Sequence, residues 1–219
     1  MPEEFSYSVR RAPRARRIRV RVDPERGVEV VLPPRASERA AAAAVAELAP
    51  WIERRLAEIA RVRSRVARDG TWLPYLNERL ALVSEPARRR AHRAGNVLLV
   101  PQGEHARPAI ERWYRHAARA EIGARLDAAT TATGVGYSAL AIRNQRTRWA
   151  SCARGGAMSF NWRLLLAPEH VLDYVVWHEV CHLEIPDHSE RFWALLERRC
   201  PDWREPAAWL RANGSALVL

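Results

Sequence analysis

The sequence predicts an α+β fold in which a histidine-bearing helix follows several short strands. Three observations carry this expectation. Strand-like alternation comes in separate blocks near residues 16–32, 71–101 and 137–162. Helical spacing fills the intervals, starting at Ser37, near His105 and at Pro168. The last helical stretch contains His178-Glu179-Val180-Cys181-His182, with a further histidine at 188.

At 219 residues the chain suits one domain, or a catalytic core with a smaller accessory region. Our reading places a β-rich accessory region with one long helix at 1–104 and the core at 105–219. A hydrophobic content of 48% with nine Trp supports a packed interior. No run of eighteen apolar residues exists and the start, Met1-Pro2-Glu3-Glu4, is polar and acidic, so neither a membrane span nor a signal peptide is expected. Cys152, Cys181 and Cys200 are odd in number and lack metal-knuckle spacing, which predicts reduced thiols in a cytoplasmic protein. The net charge of +11 comes from arginine alone. Residues 1–100 hold 21 Arg against 12 acids, and residues 101–219 hold 15 against 13. Two readings of that basic front half stand open, an anionic partner such as nucleic acid or a solubilising face.

Residues 16–22 alternate strictly, with Ile18, Val20 and Val22 on one face and Arg17, Arg19 and Arg21 on the other. Val28, Val30 and Leu32 repeat that period after a turn through Pro24 and Gly27, predicting a β-hairpin with an outer arginine ladder. Ser37 is placed to cap a helix bearing Val45, Leu48, Ile52, Leu56, Ile59 and Val66, and Pro50 predicts a restart near 46–49. Its arginines, Arg68 included, read as an exposed helix face. Short strands are expected at about 71–76, 79–84 and 96–101, then a helix from His105–Pro108 toward Thr131. Leu140 and Ile142 alternate, and Arg154-Gly155-Gly156 separates two further strands at 149–152 and 157–162. Met158, Phe160 and Trp162 take one face of the second; Ser159 and Asn161 take the other. Ser189 begins a helix that Cys200-Pro201 ends, and Asp202 with Glu205 begins a last one closed by Asn213-Gly214.

On a helix His178 and His182 share a face and can hold one zinc ion. Glu179 is turned about 100° from His178, beside the metal, where it can act as general base. Pro186 breaks the helix, and a short loop can return His188 to the same ion. Three protein ligands leave a fourth position open, the arrangement of a catalytic zinc. A carboxylate from Glu184, Asp187, Glu197 or Glu205 stays open as the third ligand. His170 reads as a surface residue of the first turn, and Cys181 as core. The His-to-His spacing matches the metzincins, but Ile185 stands where they have Gly, and Met1 and Met158 both lie upstream of any Met-turn.

Four ordered motifs carry a resemblance. They are Arg143-Asn144-Gln145-Arg146-Thr147-Arg148-Trp149-Ala150-Ser151-Cys152; Asn161-Trp162-Arg163-Leu164; His178-Glu179-x-x-His182; and His188-Ser189-x-x-Phe192-Trp193. With these the chain resembles the YgjP-like metallopeptidase family, which is related to the SprT-like and WLM metalloproteases. The resemblance implies a zincin-like fold, one Zn2+ per chain on His178, His182 and His188, and Glu179 as the catalytic acid/base. Ala150 departs from the family's usual Gly, and Leu76-Asn77-Glu78-Arg79-Leu80 from its usual Leu-Gly.

The expected activity is therefore hydrolysis of a peptide or protein substrate, with residues 157–162 as the edge strand that holds it by β-addition. Asn161, Arg148 and Ser159 are the candidate substrate contacts. Three rivals share these residues: hydrolysis of a nucleotide phosphoanhydride at the same metal, a DNA-associated protease, and a non-enzymatic module with a structural zinc. An intact Glu179 argues against the last, since a structural site needs no base.

Overall fold

Tyr7–Arg11 (β1), Arg19–Asp23 (β2) and Gly27–Leu32 (β3) form a three-stranded sheet in the order β1-β3-β2 in the computed structural model, which describes residues 6–23, 26–65, 70–145 and 147–219. The predicted hairpin is β2 with β3, paired antiparallel with Val20 opposite Val30. The sequence reading missed β1, which pairs parallel to the other side of β3. Val28, Val30 and Leu32 are buried against Ala41, Val45 and Ile52, with Ile18, Val20 and Val22 half-buried at the margin. Those three helical residues come from Glu38–Glu47 (α1) and Ala49–Arg65 (α2). Ser37 Oγ accepts the Ala40 N–H at 3.2 Å, satisfying one open donor of the first turn. Pro50 sits in the first turn of α2, where its missing N–H costs no helical bond, so the chain restarts at Ala49. Pro24, Glu25, Val66, Arg68 and Arg146 lie outside the described residues.

Trp72–Tyr75 (β4), Glu78–Ser84 (β5), His92–Ala94 (β6) and Val97–Val100 (β7) form a second sheet in the order β4-β5-β7-β6. Its tight β4–β5 turn holds Leu76 at φ +54, a left-handed conformation that disfavours a branched side chain. The Leu76 N–H donates to the Leu165 carbonyl at 2.8 Å, and the side chain packs on the core, which holds the turn in place. Ala106–Thr133 (α3) buries Ile110, Tyr114, Ala118, Ile122, Leu126 and Ala129 at three- and four-residue spacing. Gly134 ends it at φ +71, where glycine carries no Cβ penalty. The third sheet joins Ala139–Arg143 (β8), Ala150–Cys152 (β9) and Ala157–Asn161 (β10) in the order β8-β10-β9. Glu169–Cys181 (α4), Glu190–Arg199 (α5) and Arg204–Asn213 (α6) complete the chain's α-helices among the described residues.

Two compact units result, one ending at Ala67 and including Val218, the other running from Arg68 to Leu217 with Leu219. The division falls at 67/68 rather than 104/105 because Tyr75, Leu80, Leu98 and Val100 share one core with Tyr114, Phe160, Trp162 and Val176. In the second unit Arg125 of α3 meets Glu121 on its own helix and Glu169 and Asp173 on α4. Among the described residues no helix is long and apolar enough to cross a membrane.

The last helix departs from its expected ends. Trp203, not Asp202, takes the N-cap position, without a side-chain cap bond. Gly214 has φ −55, so no left-handed turn closes α6. Its glycine answers a packing demand instead: a Cβ there would lie 2.8 Å from Trp149 Cζ2. Gly214→Ala is expected to destabilise the fold by about 1–3 kcal/mol through overpacking. Chemical denaturation measures this, and an unchanged midpoint would mean that Trp149 yields without cost.

Candidate metal centre

Val171, Leu172, Val175, Val176 and Val180 are buried, so α4 is fixed in the core and its histidines are presented from a rigid element. The helix ends at Cys181, with Ile185 N–H donating to the Cys181 carbonyl at 3.0 Å. Pro186 follows, and Asp187 Oδ1 then accepts the Ser189 N–H at 3.0 Å, which turns the chain back toward α4. His188 Nε2 thereby comes within 3.0 Å of His178 Nε2. One nitrogen from each of His178, His182 and His188 lies within 4.8 Å of the others.

The hydrogen bonds assign the coordinating atom of one ring. His182 Nδ1 lies 3.0 Å from the Ile185 carbonyl, which can only accept, so Nδ1 carries the proton and the Nε2 lone pair is free. Burial holds the basicity of His178 down, to about 3, with His182 and His188 adding repulsion. Burial lowers His188 too, followed by His182. His178 is therefore neutral near pH 7, and its buried Nδ1 has no partner. Three imidazoles converging one nitrogen each on a common point fit a borderline-soft cation such as zinc.

Phe192 of α5 backs all three rings, with centroids 4.9 Å from His178, 4.5 Å from His182 and 4.8 Å from His188. Trp193 lies 5.6 Å from His188 and stacks at 4.8 Å on Trp203. Sequence reading gives Phe192 and Trp193 a place on the helix after Ser189 and a part in a motif. Their i, i+1 spacing after Ser189 placed them on α5 but could not show a floor beneath the histidines.

Glu179 is 5% exposed. Its carboxylate accepts the Cys152 backbone N–H, while Oε2 is buried without a partner. Burial pushes its pKa up to about 7, against the opposing pull of the Cys152 N–H and the Arg148 charge. Carboxylic acids of this strength exchange protons readily near neutral pH. The four carboxylates considered as third ligands are engaged elsewhere. Glu184 pairs with Arg199, Asp187 with the Ser189 N–H, Glu197 with Arg204 at 2.7 Å, and Glu205 with His170 at 3.1 Å. Cys181 is buried beside the Arg199 guanidinium and takes no place in the cluster.

The substrate-contact candidates divide. Asn161 is 1% exposed: its Nδ2 donates to the Gln145 carbonyl at 2.8 Å and its Oδ1 accepts the Arg163 N–H at 3.1 Å. Both ends of its amide are used in the fold, so it stands as a cap at the end of β10. Ser159 Oγ shares a hydrogen bond with Ser151 Oγ at 2.9 Å across the sheet. Arg148 is exposed and close enough to Glu179 to act on its charge.

The expected edge strand is corrected. β10 lies between β8, which pairs parallel, and β9, which pairs antiparallel, so its hydrogen-bonding groups are taken on both sides. β8 and β9 are the two edge strands of this sheet, and β9 is the one that adjoins Glu179. The Trp149 carbonyl and Ala153 N–H bond to β10, so the alternation of an antiparallel ladder turns the main chain of Ala150 and Cys152 outward. The outward Cys152 N–H is the one that Glu179 accepts.

The family profile described as "YgjP-like, metallopeptidase domain" matches residues 16–213. A solved structure, that of the metallopeptidase zymogen of Pyrococcus abyssi abylysin, is similar at 22% identity and a TM-score of 0.38, over 41% of this chain and 90% of that one. No curated protein matches the sequence.

Proposed function

The chain belongs to the YgjP-like metallopeptidase family, and from that premise we propose that it is a zincin-like zinc peptidase. His178, His182 and His188 hold one zinc ion, and Glu179 carries the proton during hydrolysis. Catalysis belongs to residues 105–219, on a core shared with β4–β7. The observation that carries the reading is the buried, unpartnered Glu179 Oε2 next to three converging imidazoles.

Zinc, when bound, supplies a Lewis acid that polarises a carbonyl and acidifies a water. Glu179 accepts the proton at Oε2, the other oxygen being steadied by the Cys152 N–H, and later releases it to the leaving amine. The substrate backbone lies along the open side of β9, bonding the outward groups of Ala150 and the Cys152 carbonyl. Of the three candidate side chains, Arg148 is the one left free to meet substrate. Zinc quantification on purified protein, with turnover assays on peptides and on nucleoside triphosphates, tests the reading. Hydrolysis of triphosphates alone would transfer the same centre to phosphoanhydrides.

Phe192→Leu is expected to keep the fold's apolar volume roughly constant but loosen the floor under all three rings. Supporting residues of this kind affect metal affinity by about 10–100-fold. Competition with a chromophoric chelator measures it, and an unchanged zinc affinity would reduce Phe192 to ordinary packing.

A further inference from the structure

We propose that the outer face of the β1–β3–β2 sheet is a docking surface for the phosphate backbone of a nucleic-acid duplex. β1 converts a two-stranded arginine ladder into a broader platform. Register places Arg19 opposite Val31 and Val31 opposite Arg10; the next row is Arg21, Glu29 and Ser8. All of these share one face, the reverse of the side that carries Val28, Val30 and Leu32. Arg19 and Arg21 stand about 7 Å apart along β2, and Arg10 about 9.5 Å across two strand spacings. Arg10, Arg19 and Arg21 are exposed, whereas Val31 between them is buried.

Charge is concentrated in the segment that supplies β1 and β2 rather than spread over the unit. Residues 6–23 contain seven arginines and one acid, while the other residues up to Ala67 contain eight of each. The face carries two acids, Glu29, which Arg10 Nε meets at 3.2 Å, and Asp23 at the far end of β2, so its three arginines are in excess by one. The preference for arginine over lysine carries no information, since the chain has no lysine at all. The positions do carry information. A duplex presents one phosphate per ~3.4 Å of each strand, so a flat array of cations several ångströms apart meets several phosphates at once.

The face also selects among polyanions. Ser8, Arg10, Arg19, Arg21, Glu29 and Val31 include no aromatic ring, and Tyr7 belongs to the opposite side. Single-strand binders rely on aromatic platforms for stacking; this face offers backbone contacts alone. Binding should thus be indifferent to sequence and steep in salt. None of this rests on the peptidase reading.

Anisotropy of a labelled duplex of about 20 base pairs, titrated with the full-length protein from about 50 to 200 mM salt, tests the proposal. Arg10→Ser/Arg19→Ser/Arg21→Ser should weaken binding at least tenfold at the low end. The slope of log affinity against log salt should flatten by about 0.9 for each phosphate no longer neutralised. The corresponding triple Lys variant keeps the charges and should keep the slope, which separates removal of charge from damaged folding. Arg88→Ser/Arg89→Ser/Arg90→Ser removes equal charge from another surface and should leave the slope near wild type. No duplex binding by the wild type at the low salt would overturn the proposal. So would equal losses in the two Ser triples, which would reduce the effect to net charge. Tighter binding to a single strand, or to anionic lipid vesicles, than to the duplex would reject the assigned partner.

Discussion

Glu179→Gln is expected to lower peptide turnover by about 100- to 10,000-fold while zinc content and secondary structure stay as they are. The amide keeps the shape of the carboxylate and an acceptor oxygen for the Cys152 N–H, so the contact between α4 and β9 survives. What it loses is the ability to take a proton at the buried Oε2 position. Glu179 is not among the converging ligand residues His178, His182 and His188, so the ligand set is untouched. Specificity constants on a cleaved peptide, zinc stoichiometry and circular dichroism together make the measurement. A variant with wild-type turnover would remove Glu179 from the chemistry; one that lost its zinc would show that the residue supports the metal instead.

The parts of this site that were legible in the sequence are the local ones. His178 and His182 are four residues apart on a helix, and that spacing alone puts them on one face. Pro186 and the short stretch to His188 likewise constrain the return of the chain within a few residues. Glu179, being adjacent to a ligand, needed no tertiary knowledge to be placed near the ion. Each of these inferences used only helix geometry.

Where sequence reading fell short, the missing information was strand order. Alternation in residues 157–162 correctly sends Met158, Phe160 and Trp162 into the core, yet it says nothing about what pairs on either side. The parallel partner β8 comes from fourteen or more residues upstream and makes β10 a central strand. β1 was missed for the same reason: Tyr7 and Val9 make a weak pattern, and their parallel partner β3 is nonlocal. His92–Ala94 is three residues long, too short for any period to register. Asn161 looked like a strand's polar face because its cap bond to Arg163 N–H exists only once the chain leaves β10 for a 3-10 turn over Trp162–Leu166. The edge proposed to hold substrate is therefore β9 rather than β10, and the main-chain groups assigned to that role change with it.

The burial that places Glu179 beside the histidines should also be visible in the stability of the metal-free protein. Its pKa is displaced upward from an ordinary 4.5 to about 7. Below pH 4.5 both folded and unfolded forms hold the proton, and the carboxyl contributes no difference. Between 4.5 and 7 the unfolded chain releases it while the folded chain keeps it, so the stability present at low pH is progressively lost as pH rises. The loss is complete above the folded value and amounts to about 3 kcal/mol at 1.36 kcal/mol per unit. His178 acts in the opposite sense: its basicity, lowered from 6.5 to about 3, makes stability fall as pH drops below 6.5. The wild-type profile alone therefore mixes two trends. Glu179→Gln removes one and keeps the other, so the difference between the two proteins isolates the carboxyl. That difference should be near zero at pH 4.5 and favour the Gln variant by about 3 kcal/mol at pH 8. Denaturant titrations in the presence of a chelator measure it, since a bound cation would itself favour the ionised carboxylate. Parallel profiles for the two proteins would show that Glu179 ionises in the folded state as easily as in water, and that its second oxygen is not sequestered.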